Sequence, residues 1–471
     1  MERFLCDELL EEILRRLPPP STFSSTTADV SLVSKRWLRL YRSSKSRLSL
    51  RFSPDNCKPH SLSSFFSQFP HLSFLSITLD GDDISTFSDL LLLAVASSFP
   101  KLRLLCLQPK PVPLFPMLSL STSCPHLTSL FISLSRPFCF HWLVSFHSLK
   151  ILGVHLTSVP GRFEQVVAAS KGDFDCELKL ETLVLSGVRR GDFGLDWLWR
   201  SCKRLKKLQL RCCRGIGDDT SVSSFAYCFK GLQEVELRIC GSIVDEILSI
   251  LAENCKSLSS LLVYDGGSRE GLLQFFSQSC CDVRKLDLRL PLDLQDNHLL
   301  AVAENFRGLS SLRLHSCCLI TGEGLKAIGV AMSNELEELA LTNCDVVERE
   351  PWFLTSLVHN FRNLRKLDLS YNEKLADEAF VLMLPSCNCL RELKVRGCEE
   401  LTNASVVSIL KWCKMLQSID IMKCRGIEPK DVELVVLNCL SLRQIHVEES
   451  KLSDVSKLWA STKFVEVIVD L

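Results

Sequence analysis

Cysteine is the first residue type in this chain to suggest chemistry. There are 23 in 471 residues, with adjacent pairs at Cys212 and Cys213, Cys280 and Cys281, and Cys317 and Cys318. Such pairs have the composition of a metal or redox site. No two cysteines are spaced as C-x-x-C, however, and the 10 histidines are scattered without ligand spacing. The segment GEGLKA at 322–327 fits G-x-G-x-x-A, the pattern whose glycines let a backbone approach a dinucleotide pyrophosphate. No Walker A loop, H-E-x-x-H, G-x-S-x-G or Ser/His/Asp arrangement is present. The expectation is a protein without a catalytic centre, metal site or cofactor.

The elements that carry these residues follow from a repeat. An apolar residue, two others, an apolar residue, one other and a third apolar residue recur, as in CKRLKKLQLRCC from Cys202, FRGLSSLRLHSC from Phe306, CNCLRELKVRGC from Cys387 and CKMLQSIDIMKC from Cys413. The first apolar residues are Leu72, Leu102, Leu127, Leu149, Leu180, Leu205, Leu232, Leu258, Val283, Leu309, Leu336, Leu364, Leu390, Leu416 and Leu442. From Leu205 onward every interval lies between 25 and 28 residues. The L-x-L core has the period of a strand, with Leu208 and Leu210 inward and Lys207, Gln209 and Arg211 outward. A turn and a helical run follow, as in ITGEGLKAIGVAM, where Leu325, Ile328 and Met332 share one face. One such unit cannot bury both of its apolar faces, so neighbours stack into a solenoid. Strands sit roughly 4.8 Å apart and helices about 10 Å, so the stack curves into a horseshoe with parallel strands on the concave face and helices outside. Between Leu72 and Leu180 the intervals are irregular, and PKPVPLFP at 109–116 predicts proline-broken helices there.

The repeat explains most of the suggestive residues. Cys124, Cys202, Cys255, Cys280, Cys387, Cys413 and Cys439 sit three places before the first apolar residue, and Cys213, Cys240, Cys317, Cys344, Cys398 and Cys424 eight places after it. They read as buried small residues of each turn. The slot of GEGLKA reads IGDDTS, IVDEIL, LADEAF and LTNASV elsewhere, so its glycines read as turn residues. The outward column after each L-x-L runs Arg211, Arg238, Tyr264, Arg289, His315, Thr342, Ser370, Arg396, Met422 and Glu448, with Arg313 one column over. Arginine and tyrosine are enriched at binding hot spots, and a guanidinium row suits carboxylates or phosphate esters, making Arg211, Arg238, Tyr264, Arg289, Arg313, His315 and Arg396 the candidate target contacts. The equal alternative is a solvated face in which Glu234, Glu236, Asp287, Glu338, Asp368 and Glu392 pair with those cations.

Ahead of the repeats, LCDELLEEILRRLPPP carries Leu9, Leu10, Ile13, Leu14 and Leu17 on one helical face, and Pro18 to Pro20 stop the helix. Glu11 to Arg15 and Glu12 to Arg16 are spaced as i,i+4 pairs. A Ser/Thr-rich loop leads to a second amphipathic segment with Val30, Val33, Trp37, Leu38 and Leu40. Forty-odd residues in such helices need a partner surface or packing against the solenoid.

These residues resemble two known modules. The repeat is similar to the cysteine-containing leucine-rich repeat. The amino-terminal segment resembles the F-box: Leu5, Glu8, Leu9, Leu10, Ile13, Leu14 and Leu17, then Ser31, Leu32, Val33, Lys35 and Trp37, match its pattern, with Cys6 in place of the family's first proline and a longer loop. By this resemblance, Leu5, Cys6, Leu9, Leu10, Ile13, Leu14, Leu17, Leu32, Val33 and Trp37 are the contacts for the Skp adaptor of a cullin-RING ubiquitin ligase. The repeats would then hold an unidentified protein to be ubiquitinated, in the order found in plant F-box and leucine-rich-repeat proteins. The alternative is a repeat scaffold or ligand sensor that recruits no ligase. The implied fold class is α/β: a leucine-rich-repeat solenoid behind a small all-α F-box. Residues 1–45 would form the helical module, 46–70 a linker and cap, and 71–471 about fifteen repeats ending in a strand with Val465, Val467 and Val469 alternating.

Composition narrows the partners. Lys and Arg number 55 and Asp and Glu 55, so the positive excess that neutralises a phosphate backbone is missing and no nucleic acid is expected. The longest apolar run, Leu90 to Ser98, falls well short of the roughly 20 residues that cross a bilayer, and Asp7, Glu8, Glu11 and Glu12 oppose an export signal. Many cysteines in a large chain of this kind suit a reducing compartment, cytoplasm or nucleus.

Overall fold

The structure is a computed structural model that describes residues 6–16, 33–52, 62–79, 85–112, 114–157, 176–241, 243–290, 294–350, 352–354 and 360–469. The chain forms two compact units, Met1–Gly231 and Leu232–Leu471. Each is a stack of strand-and-helix repeats.

In the first unit the strands are β1 (Arg47–Phe52), β2 (Phe74–Leu79), β3 (Leu104–Pro111), β4 (Ser129–Ser135), β5 (Ile151–Thr157), β6 (Thr182–Ser186) and β7 (Lys207–Arg211). They pair in chain order, all parallel, so that Leu75, Leu105, Leu130, Leu152, Leu183 and Leu208 form one continuous buried row. In the second unit they are β8 (Glu234–Gly241), β9 (Ser260–Gly266), β10 (Lys285–Arg289), β11 (Ser311–His315), β12 (Glu338–Thr342), β13 (Lys366–Asp368), β14 (Glu392–Lys394), β15 (Ser418–Asp420), β16 (Gln444–His446) and β17 (Glu466–Ile468). Here Leu286, Leu312, Leu339, Leu367, Leu393, Ile419 and Ile445 make the corresponding row. Each of β2 to β16 begins two residues after the first apolar residue read from the sequence, which places every repeat boundary, including the irregular ones between Leu72 and Leu180.

Three sequence expectations change. The ladder starts at Arg47, inside the stretch read as linker and cap, because β1 pairs with β2 over its whole length. The proline run does not break a helix: Pro109 and Pro111 lie in the extended end of β3, and Pro116 lies in the first turn of the helix Leu114–Ser123, where a missing N–H costs nothing. Of the terminal valines, Val465 is buried, Val467 is half-buried and Val469 is exposed, so the alternation does not hold as a single inward face.

A backbone feature repeats with the strands. The residue seven places after the first apolar residue has a positive φ in ten successive repeats, Gly187, Cys212, Ile239, Asp265, Leu290, Ser316, Asn343, Tyr371, Gly397 and Lys423. This left-handed residue turns the chain off the strand and sends its N–H forward, as Leu290 to the carbonyl of His315 at 2.9 Å and Ser316 to that of Thr342 at 2.9 Å. The next residue, eight places along, is thereby turned inward. Its thiol donates backward to a strand carbonyl of the preceding repeat: Cys398 to Leu369 at 3.1 Å, Cys424 to Val395 at 3.0 Å and Cys344 to Leu314 at 3.5 Å. Asn372 takes this slot in its own repeat, donating to Leu341 and Leu369 and accepting the Cys344 N–H at 2.9 Å. Small side chains with one donor fit here because any larger group would split the stack.

The cysteines are thus structural, as the repeat implies, with one correction. Twelve of the slots named above are buried, but Cys280 is exposed and its neighbour Cys281 turns inward instead, donating to the carbonyl of Cys255 at 3.0 Å. Burial pushes Cys202, Cys413 and Cys424 up to about 12, which keeps them as inert thiols.

Two substitutions test this geometry by urea unfolding. Asn372→Ala strands the Cys344 N–H and the Leu341 carbonyl and is expected to cost about 2–4 kcal/mol, whereas Asn372→Cys, the residue of neighbouring repeats, should cost clearly less. Ile239→Gly removes a β-branched residue from the left-handed region and should be stabilising by about 1 kcal/mol; a loss of that size would contradict the strain.

Candidate functional site

Two surfaces carry the residues of interest, one in each unit. The first is the pair of helices α1 (Asp7–Arg16) and α2 (Lys35–Ser44). The acids Asp7 and Glu8 lie in the first turn of α1 and the bases Arg15 and Arg16 in its last, which suits the helix dipole. Ser34, extended, caps α2 by accepting the Trp37 N–H at 3.2 Å, so the helix begins at Lys35 and Val33 lies outside it. Leu10, Leu14 and Leu40 form the small core of this pair, with Trp37 and Tyr41 packed against it.

Polar contacts fix the crossing of the two helices. Asp7 accepts from Arg36 at 2.6 Å and from Arg39 at 3.1 Å, and Glu11 accepts from Ser43 at 2.8 Å. Glu11 is therefore spent on α2: the expected Glu12–Arg16 pair forms at 2.8 Å, while Arg15, expected on Glu11, joins Glu12 instead at 2.9 Å. Arg42 reaches Gln68, tying the pair to the start of the ladder.

The apolar face read from the sequence is in fact two faces. Leu10 and Leu14 point inward, at 1% and 3% exposure, whereas Leu9, Ile13 and Val33 point outward at 55%, 47% and 54%. Cys6 is exposed, and Trp37 is half-buried beside the inner core. Leu5, Leu17 and Leu32 lie outside the described residues. The exposed apolar side chains of this pair are thus Leu9, Ile13 and Val33, while Leu10 and Leu14 belong to its inner core. The sequence missed this division because both sets satisfy one helical stripe.

The second surface is the strand face of the second unit. Arg289, Arg313, His315 and Arg396 come together there around a hollow of about 310 Å³. Arg238 and Tyr264 lie on neighbouring strands but do not line it, and Arg211 belongs to the first unit, where it donates to Gln209 at 3.0 Å. The cations are matched by carboxylates: Arg238 by Glu236 at 3.0 Å, Arg289 by Asp287 at 2.8 Å, Arg313 by Glu338 at 3.1 Å and Asp287 at 3.6 Å, and Arg396 by Asp420 at 3.0 Å. Pairing, the second of the two readings of this column, is what the geometry contains. The hollow also includes Tyr371, Lys394 and His446, whose columns the sequence reading did not follow. The His315 imidazole is held below its ordinary value by burial and by Arg289.

The glycine fingerprint is accounted for as well. Gly322 and Gly324 open the helix Gly322–Ala331, but the Gly322 N–H donates to Glu350 at 3.1 Å and Thr321 N–H to Asp296 at 2.8 Å. A side chain at Gly324 would collide with the Asp296 carboxylate. Two carboxylates at this helix start oppose a phosphate. Among the described residues no three His, Cys, Asp or Glu side chains are gathered as for a metal ion, and no helix is long and apolar enough to cross a membrane.

The leucine-rich-repeat family pattern matches residues 309–329 and 362–379, which carry β11 and β13. Over 188 residues the chain is 25% identical to F-box/LRR-repeat protein 4 of Bos taurus, a match covering 40% of this chain and 30% of that protein's length. Among solved structures, it is similar to a chain of the TLR13-ssRNA13 complex, at 16% identity and a TM-score of 0.51, over 93% of this chain and 57% of that one. A chain of the Rad7 and Elc1 complex in yeast gives 16% identity and a TM-score of 0.48 over 96% and 99%. The ladder and its repeat, together with the matched family pattern and the likeness at a TM-score of 0.51, define a leucine-rich-repeat solenoid fold.

Two measurements check the geometry described here. Leu10→Ala should destabilise the α1–α2 pair by about 2–4 kcal/mol, whereas Leu9→Ala or Ile13→Ala should change stability by less than about 1 kcal/mol, read as local hydrogen exchange of 7–16. His315 should titrate below about 6.5 by NMR. Because its folded value is depressed, the stability linked to it is complete above the unfolded value and is lost as pH falls below it; a midpoint at or above the ordinary value would contradict the packing.

Proposed function

We propose that this protein is the substrate-recognition subunit of an SCF-type ubiquitin ligase, with the amino-terminal helices binding the Skp adaptor and the repeats binding a protein to be ubiquitinated. The observation that carries this reading is the outward face of Leu9, Ile13 and Val33, held by an inner core of Leu10, Leu14 and Leu40 next to the ladder. Three large apolar side chains exposed on so small a module suit a partner, since burying each is worth about 1.5–3 kcal/mol. The relative named F-box/LRR-repeat protein 4 combines the same two modules in its name.

In this reading the chain catalyses nothing itself. It holds a target near the transfer machinery through the adaptor and cullin, raising the effective concentration of the reacting groups. It would act in the cytoplasm or nucleus.

The test is capture of purified Skp adaptor by the full chain and by the full-length double variant Leu9→Asp, Ile13→Asp. Both positions are exposed, so the variant should keep its circular dichroism spectrum. Adaptor affinity is expected to fall at least tenfold. Undiminished binding would remove this interface, and absence of binding by the unaltered chain would favour the repeat scaffold or sensor.

A further inference from the structure

The hollow on the strand face of the second unit exists because three adjacent outward positions are small. Ala340 and Thr342 on β12 and Ser370 just past β13 form its floor, while the long side chains of Arg313 on one side and Lys394 and Arg396 on the other form its walls. The walls are already neutralised. Arg289 and Arg313 are held by Asp287 and Glu338, Lys394 by Glu392 at 2.8 Å, and Arg396 by Asp420. One charge in the lining differs. Asp368 makes no ion pair among the described residues; one of its oxygens accepts the Ser370 N–H at 3.0 Å.

An anion entering here would have to displace a wall carboxylate and approach Asp368, so each wall pair and the floor carboxylate oppose it. A cation finds the reverse. The remaining Asp368 oxygen is a charge-assisted acceptor in a recessed site, where such a bond is stronger than on open surface. Tyr371, in the left-handed slot directly after Ser370, places an aromatic ring on the rim of the same hollow. From this geometry we infer that the hollow receives one lysine or arginine side chain of the target protein, with Asp368 as the residue that meets its charge. The inference rests on the reading of the repeats as a target-binding surface, and it replaces the acidic or phosphorylated target suggested by the arginine column with a basic one.

The test uses the full chain carrying 13C-methyl alanine, with the Ala340 methyl resonance assigned through Ala340→Ser. The probes are Nα-acetyl-arginine N-methylamide, its lysine counterpart and its phosphoserine counterpart. The arginine or lysine probe should shift the Ala340 methyl saturably, and phosphoserine should not. Asp368→Asn keeps an acceptor for the Ser370 N–H and so should leave the other alanine methyls in place, while weakening the cationic probe at least tenfold; Asp265→Asn, on β9 four repeats away, should not weaken it. No shift with either cationic probe, an equal shift in Asp368→Asn, or a larger shift with phosphoserine would each overturn the assignment. The shift is read without adaptor and adaptor capture without the probes, so the loss of either result leaves the other interpretable.

Discussion

The backward hydrogen bond from the eighth residue of one repeat to a strand carbonyl of the repeat before it sets the geometry of everything else. A left-handed residue seven places after the first apolar residue makes it possible by turning the chain inward, and eight of the ten such residues from Gly187 to Lys423 are not glycine. Non-glycine residues such as Asn343, Tyr371 and Lys423 accept a costly backbone there, and the residue after each makes this bond. The thiols of Cys344, Cys398 and Cys424 and the amide of Asn372 are alternative ways of making one contact. Since this contact fixes the register between neighbours, it also fixes which outward side chains stand side by side.

That register has a functional consequence in the second unit. Matching strands residue for residue brings Asp287 beside Arg313 and Lys366 beside Glu392, and pairs within one strand such as Lys394 with Glu392 add to these, so the charges neutralise instead of forming a one-signed surface. Each exposed pair is worth little to stability, but the set removes most of the field an anion would feel. What remains specific is a gap where the side chains are small and a carboxylate is unmatched. In the first unit the α1–α2 pair shows the same economy: the polar groups that fix the crossing, Asp7 with Arg36 and Glu11 with Ser43, leave the outer apolar face free of internal work.

The repeat was legible in the sequence to the residue, because a parallel ladder with inward leucines imposes a period that composition cannot imitate, and β2 to β16 fall where Leu72 to Leu442 place them. The burial of the cysteine slots was legible for the same reason, and Cys280 failed because an adjacent cysteine offers the chain a choice of one residue in register. The two surfaces were only partly legible. A single apolar stripe in α1 does not say which leucines face α2, since that depends on the crossing fixed by Asp7 and Glu11. The arginine column looked like one site in a list of residues, but its charge is decided by carboxylates two places along the same strand, as Arg238 with Glu236 and Arg289 with Asp287, and by others on neighbouring strands, as Arg313 with Glu338 and Arg396 with Asp420.

The proposed function divides the labour, giving the helices to an adaptor and the strand face to a target. It is tested most directly by hydrogen–deuterium exchange of the full chain with and without purified Skp adaptor. The account predicts slowed exchange confined to residues 6–16 and 33–44, with the strand face of the second unit unchanged. Protection spread over that strand face, or none on the helices, would contradict it.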